Sequence, residues 1–320
     1  MSVPDAKERW SGKITTVTIG ATPAEGGTRG STVTLGGEAG IPFLSFDGET
    51  PNPPAIALDV LDVEPADWPG PLAQVYSDVW SDPAAWAKRV KELGADLVNL
   101  RLVSIHPDEG DRSPEQAAET VKAVLEACDL PLIIWGCDVP EKDQRVMPKV
   151  AEVAQGENCL LGAVTEDEYR TLTAAAQAYG HKLIALSPCD INKAKQVNIL
   201  VTDMGYPLED IIIYPSTASL GYGMEYIYSI LERGRLAALS GDKLMAQPVL
   251  LDVGLEAWRA KEARTGDEAA EVWGPAAHRG PLWEAVTATD LLQGGCDLLI
   301  MRHPRAMEAV RKAVSQLIEA

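Results

Sequence analysis

A chain of 320 residues, 46% of them apolar, can build a substantial core as one large domain or two ordinary ones. Its formal net charge of -19 excludes a nucleic-acid surface, which needs clustered Lys and Arg to neutralise phosphates, and fits a solubility role instead. No apolar run reaches the roughly 18–20 residues of a membrane span, and Met1 to Ser11 is charged rather than apolar, so no membrane contact and a cytoplasmic location are expected.

Along the chain, Ile14 to Ile19 and Thr32 to Leu35, joined by Gly26-Gly27-Thr28-Arg29-Gly30, predict a short β-hairpin. Ala55-Ile56-Ala57-Leu58-Asp59-Val60 follows as a buried strand, with a helix around Pro83 to Leu93. Leu97 to Val103 is the next strand, and Ser113-Pro114-Glu115-Gln116 opens its helix with an N-cap serine, a first-turn proline and an acidic first turn. Leu132 to Trp135 with a helix near Asp143 to Ala154, and Leu160 to Val164 with Glu166 to Tyr179, repeat the pattern. Lys182 to Ser187 leads into a helix from about Asp190 to Met204.

Ile211 to Tyr214 reads as the sixth strand, breaking at Pro215 into a small-residue loop and then a helix. Pro248 to Val253 is the seventh, with a charged insertion from Lys261 to Gly274 before a helix expected over Pro281 to Gln293. Cys296 to Met301 is the eighth, closed by Pro304 to Ile318. Continuous apolar strands between helices imply a parallel sheet covered on its outside. Eight such units favour a (β/α)8, or TIM, barrel over an open doubly wound sheet, and no Gly-x-Gly-x-x-Gly follows the first strand. The expected organisation is an α/β chain with a β-hairpin extension over residues 1–50 and a barrel over residues 51–320.

The five cysteines are scattered with no C-x-x-C pair, and the four histidines lack H-x-x-x-H spacing, so no zinc or iron–sulfur site is written here. In such barrels the working face lies at the carboxyl ends of the strands. That places Asp59, Asp62, Asn99, Arg101, Cys137, Asp138, Thr165, Ser187, Asp190, Asn192, Ser216, Thr217, Asp252, Arg302 and His303 on one rim. Each has a plainer alternative: Asp190 as a helix N-cap, Arg302 as a loop anchor, Trp135 as core. The loop Pro215 to Gly223 carries hydroxyls and two glycines but no Cys, His, Lys or Asp, which favours a binding surface over a catalytic centre.

Leu220-Gly221-Tyr222-Gly223-Met224-Glu225-Tyr226 after a strand, Asp190-Ile191-Asn192-Lys193-Ala194-Lys195-Gln196-Val197-Asn198, Pro54 to Val60 and Met301-Arg302-His303-Pro304 together resemble the small subunit of the corrinoid iron–sulfur protein, the delta-type subunit of acetyl-CoA decarbonylase/synthase. The resemblance implies a barrel that pairs with a large subunit. That subunit carries the iron–sulfur cluster and most of the cobamide-binding domain, while the barrel's face covers the corrin. The complex then carries a methyl group from methyltetrahydrofolate, delivered by its methyltransferase, to acetyl-CoA synthase in the reductive acetyl-CoA pathway.

On this reading the cobamide is shared, no catalytic or metal-ligating residue is assigned to this chain, and Ser216, Thr217, Tyr222 and Met224 are expected to meet the corrin. Asp190, Asn192, Trp135 and Arg302 are expected on the rim. The alternative is a pterin-dependent methyltransferase of the same barrel type, for which Asp59, Asn99, Asp138 and Asn192 are the candidate ligands. A third is a docking platform that contributes nothing to a cofactor site.

Overall fold

The computed structural model describes residues 7–268 and 271–319. Val17–Ile19 (β1) and Val33–Leu35 (β2) pair antiparallel. A separate sheet of eight parallel strands follows: Ala55–Leu61 (β3), Leu97–Arg101 (β4), Leu132–Trp135 (β5), Leu160–Val164 (β6), Lys182–Leu186 (β7), Ile211–Tyr214 (β8), Leu250–Asp252 (β9) and Leu298–Met301 (β10). Neighbours pair in chain order from β3 to β8, and β10 lies between β9 and β3. A bridge from Ile213 to Val249 and a 2.9 Å hydrogen bond from Ile213 N to the Pro248 carbonyl join β8 to β9 and close the ring.

The period of two along each strand sorts the side chains. Ile56, Leu58 and Val60, like Val98, Leu100 and Ile134, face outward into the layer under the helices. Ala55, Ala57, Leu97, Ile133, Ile184, Ile212, Leu250, Leu298 and Ile300 face inward and form the barrel's interior cluster. Val17, Ile19 and Leu35 of the hairpin belong to that same interior cluster, so the hairpin closes the amino-terminal end of the barrel.

The hairpin is held there by polar contacts as well as packing. Arg29, in the predicted turn, is 1% exposed. It pairs with Glu157 at 2.7 Å and donates to the carbonyls of Leu125, in the last turn of the helix Pro114–Ala127, and of Cys128, which caps that helix. Further along, Glu38 meets Arg235 at 3.3 Å, and Arg235 also meets Asp297 just before β10. The expected helices all form, and Ser113 caps its helix through the Gln116 amide in a full capping box. After the short helix Val253–Ala257, the expected insertion holds the short helix Lys261–Arg264 and the 3-10 turn Glu271–Trp273 among its described residues.

Candidate functional site

The inward parity of the strands continues past the apolar layer. One step above it stand Asp59, Asn99, Arg101, Trp135, Tyr214, Asp252 and, by extension of β10, Arg302. The registers set Asp59 level with Asn99 and Arg101 level with Trp135, so these groups must satisfy one another inside the mouth. They do so as one network.

Asn99 donates to Asp59 Oδ1 at 2.6 Å and accepts from the Trp135 indole at 2.7 Å. Arg101 donates from Nε to Asp59 at 2.9 Å and from Nη2 to Asp252 at 2.5 Å. Arg302 donates from Nε to the other oxygen of Asp59 at 2.9 Å while lying over the Trp68 ring. Two carboxylates and two guanidiniums therefore balance, with Asp59 wholly buried and Asp252 nearly so. Burial would raise the Asp59 carboxyl, but Arg101 and Arg302 outweigh it and hold the group below its ordinary value. At Asp252 burial wins over the attraction of Arg101, and the carboxyl is raised.

Glu284, from the helix Ala276–Gln293, fixes the last piece of this network. It accepts the amides of Arg302 and His303 at 2.6 and 3.1 Å and the Trp258 indole at 2.9 Å. Burial raises its carboxyl to about 7 and lowers the His303 imidazole to about 4.

Above the network opens a cavity of about 570 Å³. Arg101, Trp135, Tyr214 and Asp252 form its floor, Leu186, Leu255 and the Gly162–Ala163 backbone line its wall, and Thr165, Gln144 and Ser216 bring polar groups. Ser216 holds φ at 64°, a left-handed conformation disfavoured for serine, and its Oγ accepts the Ala218 amide.

Of the residues expected to bind, Trp135 and Ser216 line this cavity. Thr217 lies beneath the loop, fully buried, donating to the Asp252 carbonyl at 2.8 Å and touching the Tyr214 hydroxyl; it shapes the loop from below. Arg302 points down to Asp59 rather than out to the rim. Met224 begins the helix Met224–Leu239 and packs partly buried against the core, whereas Tyr222 stands 85% exposed beside it.

Asp190 caps the helix Ile191–Asp203, accepting the amides of Asn192 and Lys193, and Asn192 is exposed on its first turn. Neither side chain lines the cavity. Asp190→Ala should therefore lower the urea unfolding midpoint, at a cost of about 1 kcal/mol. Tyr214 is the mouth residue that reading the strand as plain core overlooks, and counting inward positions from Ile212 would have found it.

Among the described residues, no group of three or more His, Cys, Asp or Glu side chains converges as metal ligands would. All five cysteines are free, and Cys128, Cys159 and Cys296 are buried. No helix among the described residues is long and apolar enough to cross a membrane.

The fold is similar to that of dihydropteroate synthases. The Xanthomonas albilineans enzyme aligns with a TM-score of 0.55 at 17% identity, over 87% of this chain and 98% of that one. The Yersinia pestis enzyme aligns with a TM-score of 0.57 at 14% identity, over 84% and 94%. At such identities the likeness is one of fold. The sequence relatives are far nearer. The acetyl-CoA decarbonylase/synthase complex subunit delta of Methanopyrus kandleri is 40% identical over 310 residues, 96% of this chain and 76% of that protein. Its counterpart in Archaeoglobus fulgidus is 40% identical over 321 residues, 97% and 70%, and subunit delta 1 of Methanosarcina thermophila is 38% identical over 315 residues, 97% and 71%. Residues 16–310 match the family described as CO dehydrogenase/acetyl-CoA synthase delta subunit, and with these relatives the match establishes that the chain belongs to that family.

Proposed function

We propose that this barrel covers a cobamide held by a cluster-bearing large subunit, and so takes part in carrying a methyl group from methyltetrahydrofolate, through its methyltransferase, to acetyl-CoA synthase. The observation that carries the reading is a mouth that is open but chemically quiet. Every charged group on its floor is already paired, and Asp59 has both oxygens occupied, so the floor presents bound carboxylates and guanidiniums rather than a poised base, while the carboxylates Asp138, Asp143, Asp167 and Glu168 stand in the lining above it. Such a site binds and shields better than it reacts.

The lining suits an amide-fringed flat ring. Ser216, Thr165 and Gln144 offer donors and acceptors, while Trp135, Leu186 and Leu255 offer apolar surface. The chemistry the cobamide supplies is nucleophilic capture of the methyl group at cobalt. This chain's own residues exclude water and hold the ring's polar edge, with Ser216 in the cavity lining and the exposed Tyr222 at the end of the turn Ala218–Gly221 that follows it. Residues 51–320 form the working barrel in this reading, residues 1–50 serve as closure of its far end, the iron–sulfur cluster stays with the partner, and the assembly works in the cytoplasm.

Co-expression with and without the cluster-bearing subunit tests the assignment. Corrinoid colour is expected in the two-subunit complex, and faster reoxidation of reduced cobalt is expected when this chain is withdrawn. In the complex, Tyr222→Ala with Ser216→Ala should weaken cobamide binding by roughly fivefold to tenfold, the loss of one aromatic contact and one hydrogen bond. An unchanged spectrum and reoxidation rate without this chain would reject the reading in favour of a docking platform. Methyltetrahydrofolate should not bind the isolated chain, because Asp59 and Asn99 are consumed by internal partners.

A further inference from the structure

Behind β7 and β8, in the layer between the sheet and its helices, lies an internal cavity of about 20 Å³. Its walls are mostly apolar: Ile191 and Ala194 come from the helix Ile191–Asp203, Leu231 and Gly234 from the helix Met224–Leu239, and Ile213 and Val249 from the sheet side. Ser187 breaks that pattern. It follows β7 directly, and strand parity turns it outward with Leu183 and Ala185 rather than inward with Ile184. Its amide donates to the Tyr214 carbonyl at 2.9 Å. Its hydroxyl lines the cavity with no hydrogen-bond partner, on a residue only 1% exposed. A buried hydroxyl left unpaired is costly, and an ordered water is the usual way such a group is satisfied.

We propose that this cavity is a binding site for one structural water held by Ser187 Oγ. Its volume suffices for one molecule, which needs roughly 10–15 Å³, and falls short of a second. A buried water also needs more than one polar neighbour, and Arg235 and Gln247 supply them from the lining. A guanidinium and an amide oxygen each offer more hydrogen-bonding positions than Glu38, Asp297 and Gly295 use on Arg235, or than Asn198 uses on Gln247 Oε1. The site stands behind the mouth rather than in it: Pro215 lines this cavity, and the next residue, Ser216, lines the larger one. The water therefore completes the packing beneath the loop that carries Ser216. This inference does not depend on what covers the mouth.

Magnetic relaxation dispersion of the water oxygen, measured on the full chain, counts the waters held long enough to tumble with the protein. Ser187→Val replaces the hydroxyl with methyl groups and should lower that count by one. Gly234→Ala reaches the same space without touching Ser187. Its new methyl would stand 3.5 Å from Met245 Cε, an ordinary contact with another residue of the lining, and it too should lower the count by one. The double variant should lose one water in all, because both changes displace the same molecule. A crystal of the native chain should show density about 3 Å from Ser187 Oγ, and this measurement stands even if a variant fails to fold. The proposal is overturned if either folded variant leaves the count unchanged or the double variant loses two waters. It is equally overturned if the native crystal shows Ser187 Oγ bonded to a protein carbonyl with no density in the cavity.

Discussion

Asp59→Ala should destabilise the chain by about 3–5 kcal/mol, the range for removing one member of a buried charge network. Asp59 has no exposed surface and takes three donors, from Asn99, Arg101 and Arg302. Its removal leaves Arg302 without a carboxylate and Arg101 with Asp252 alone. Chemical denaturation at pH 7 measures the loss, and the same experiment in acid assigns it. Burial works against the Asp59 carboxylate, but the two guanidiniums hold its folded value below that of the unfolded chain. Its contribution is therefore complete above the unfolded value of roughly 4 and is lost as the pH falls through the folded value. Asp59→Asn should flatten that acid branch. A loss under 1 kcal/mol for Asp59→Ala at pH 7 would show that the network does not hold the mouth together.

The barrel was legible because eight parallel strands buried on both faces leave eight apolar runs, and Leu132–Trp135, Leu160–Val164 and Ile211–Tyr214 fall on the runs themselves. Helix starts near prolines were harder to read. The helix expected from Pro281 begins at Ala276 and passes through the proline. Pro281 has no N–H for the Ala277 carbonyl, and that carbonyl instead accepts from Arg305 Nη1 at 3.4 Å. The need for that replacement is local, but its source lies in the next helix of the chain.

The mouth was half legible for a similar reason. Asp59, Asn99, Arg101 and Asp252 follow from their places at strand ends, yet proximity to a strand end does not say which way a side chain turns. Arg302 and Thr217 sit at the carboxyl face by sequence, and each turns inward to a partner from a distant segment, Asp59 for one and the Asp252 carbonyl for the other. Parity along the strand resolves orientation, but long-range pairing decides whether a polar group is offered to a ligand or used by the fold.

The opposite end of the barrel carries a network that does not balance, and there a substitution should stabilise. Glu38 and Asp297 share the single buried guanidinium of Arg235. Asp297 is the better partner, at 3.1 Å from Arg235 and with its second oxygen taking the Val249 amide at 2.7 Å. Glu38 sits 3.3 Å from Arg235, long for a charge-assisted bond. Burial and repulsion from Asp297 together raise its carboxyl from 4.5 to about 8 in spite of Arg235. An acid raised in the folded state favours folding fully below its unfolded value and loses that advantage as the pH climbs to its folded value. From pH 4.5 to 8 the native chain should thus lose on the order of 4 kcal/mol through this group. Glu38→Gln keeps an acceptor for Arg235, leaves one carboxylate to one guanidinium, and removes the titration. Its unfolding free energy should exceed the native one by on the order of 3 kcal/mol at pH 8, with the difference shrinking towards pH 5. A variant less stable than the native chain at pH 8 would mean instead that Glu38 is ionised there and that Arg235 needs both carboxylates to hold the amino-terminal extension against the barrel.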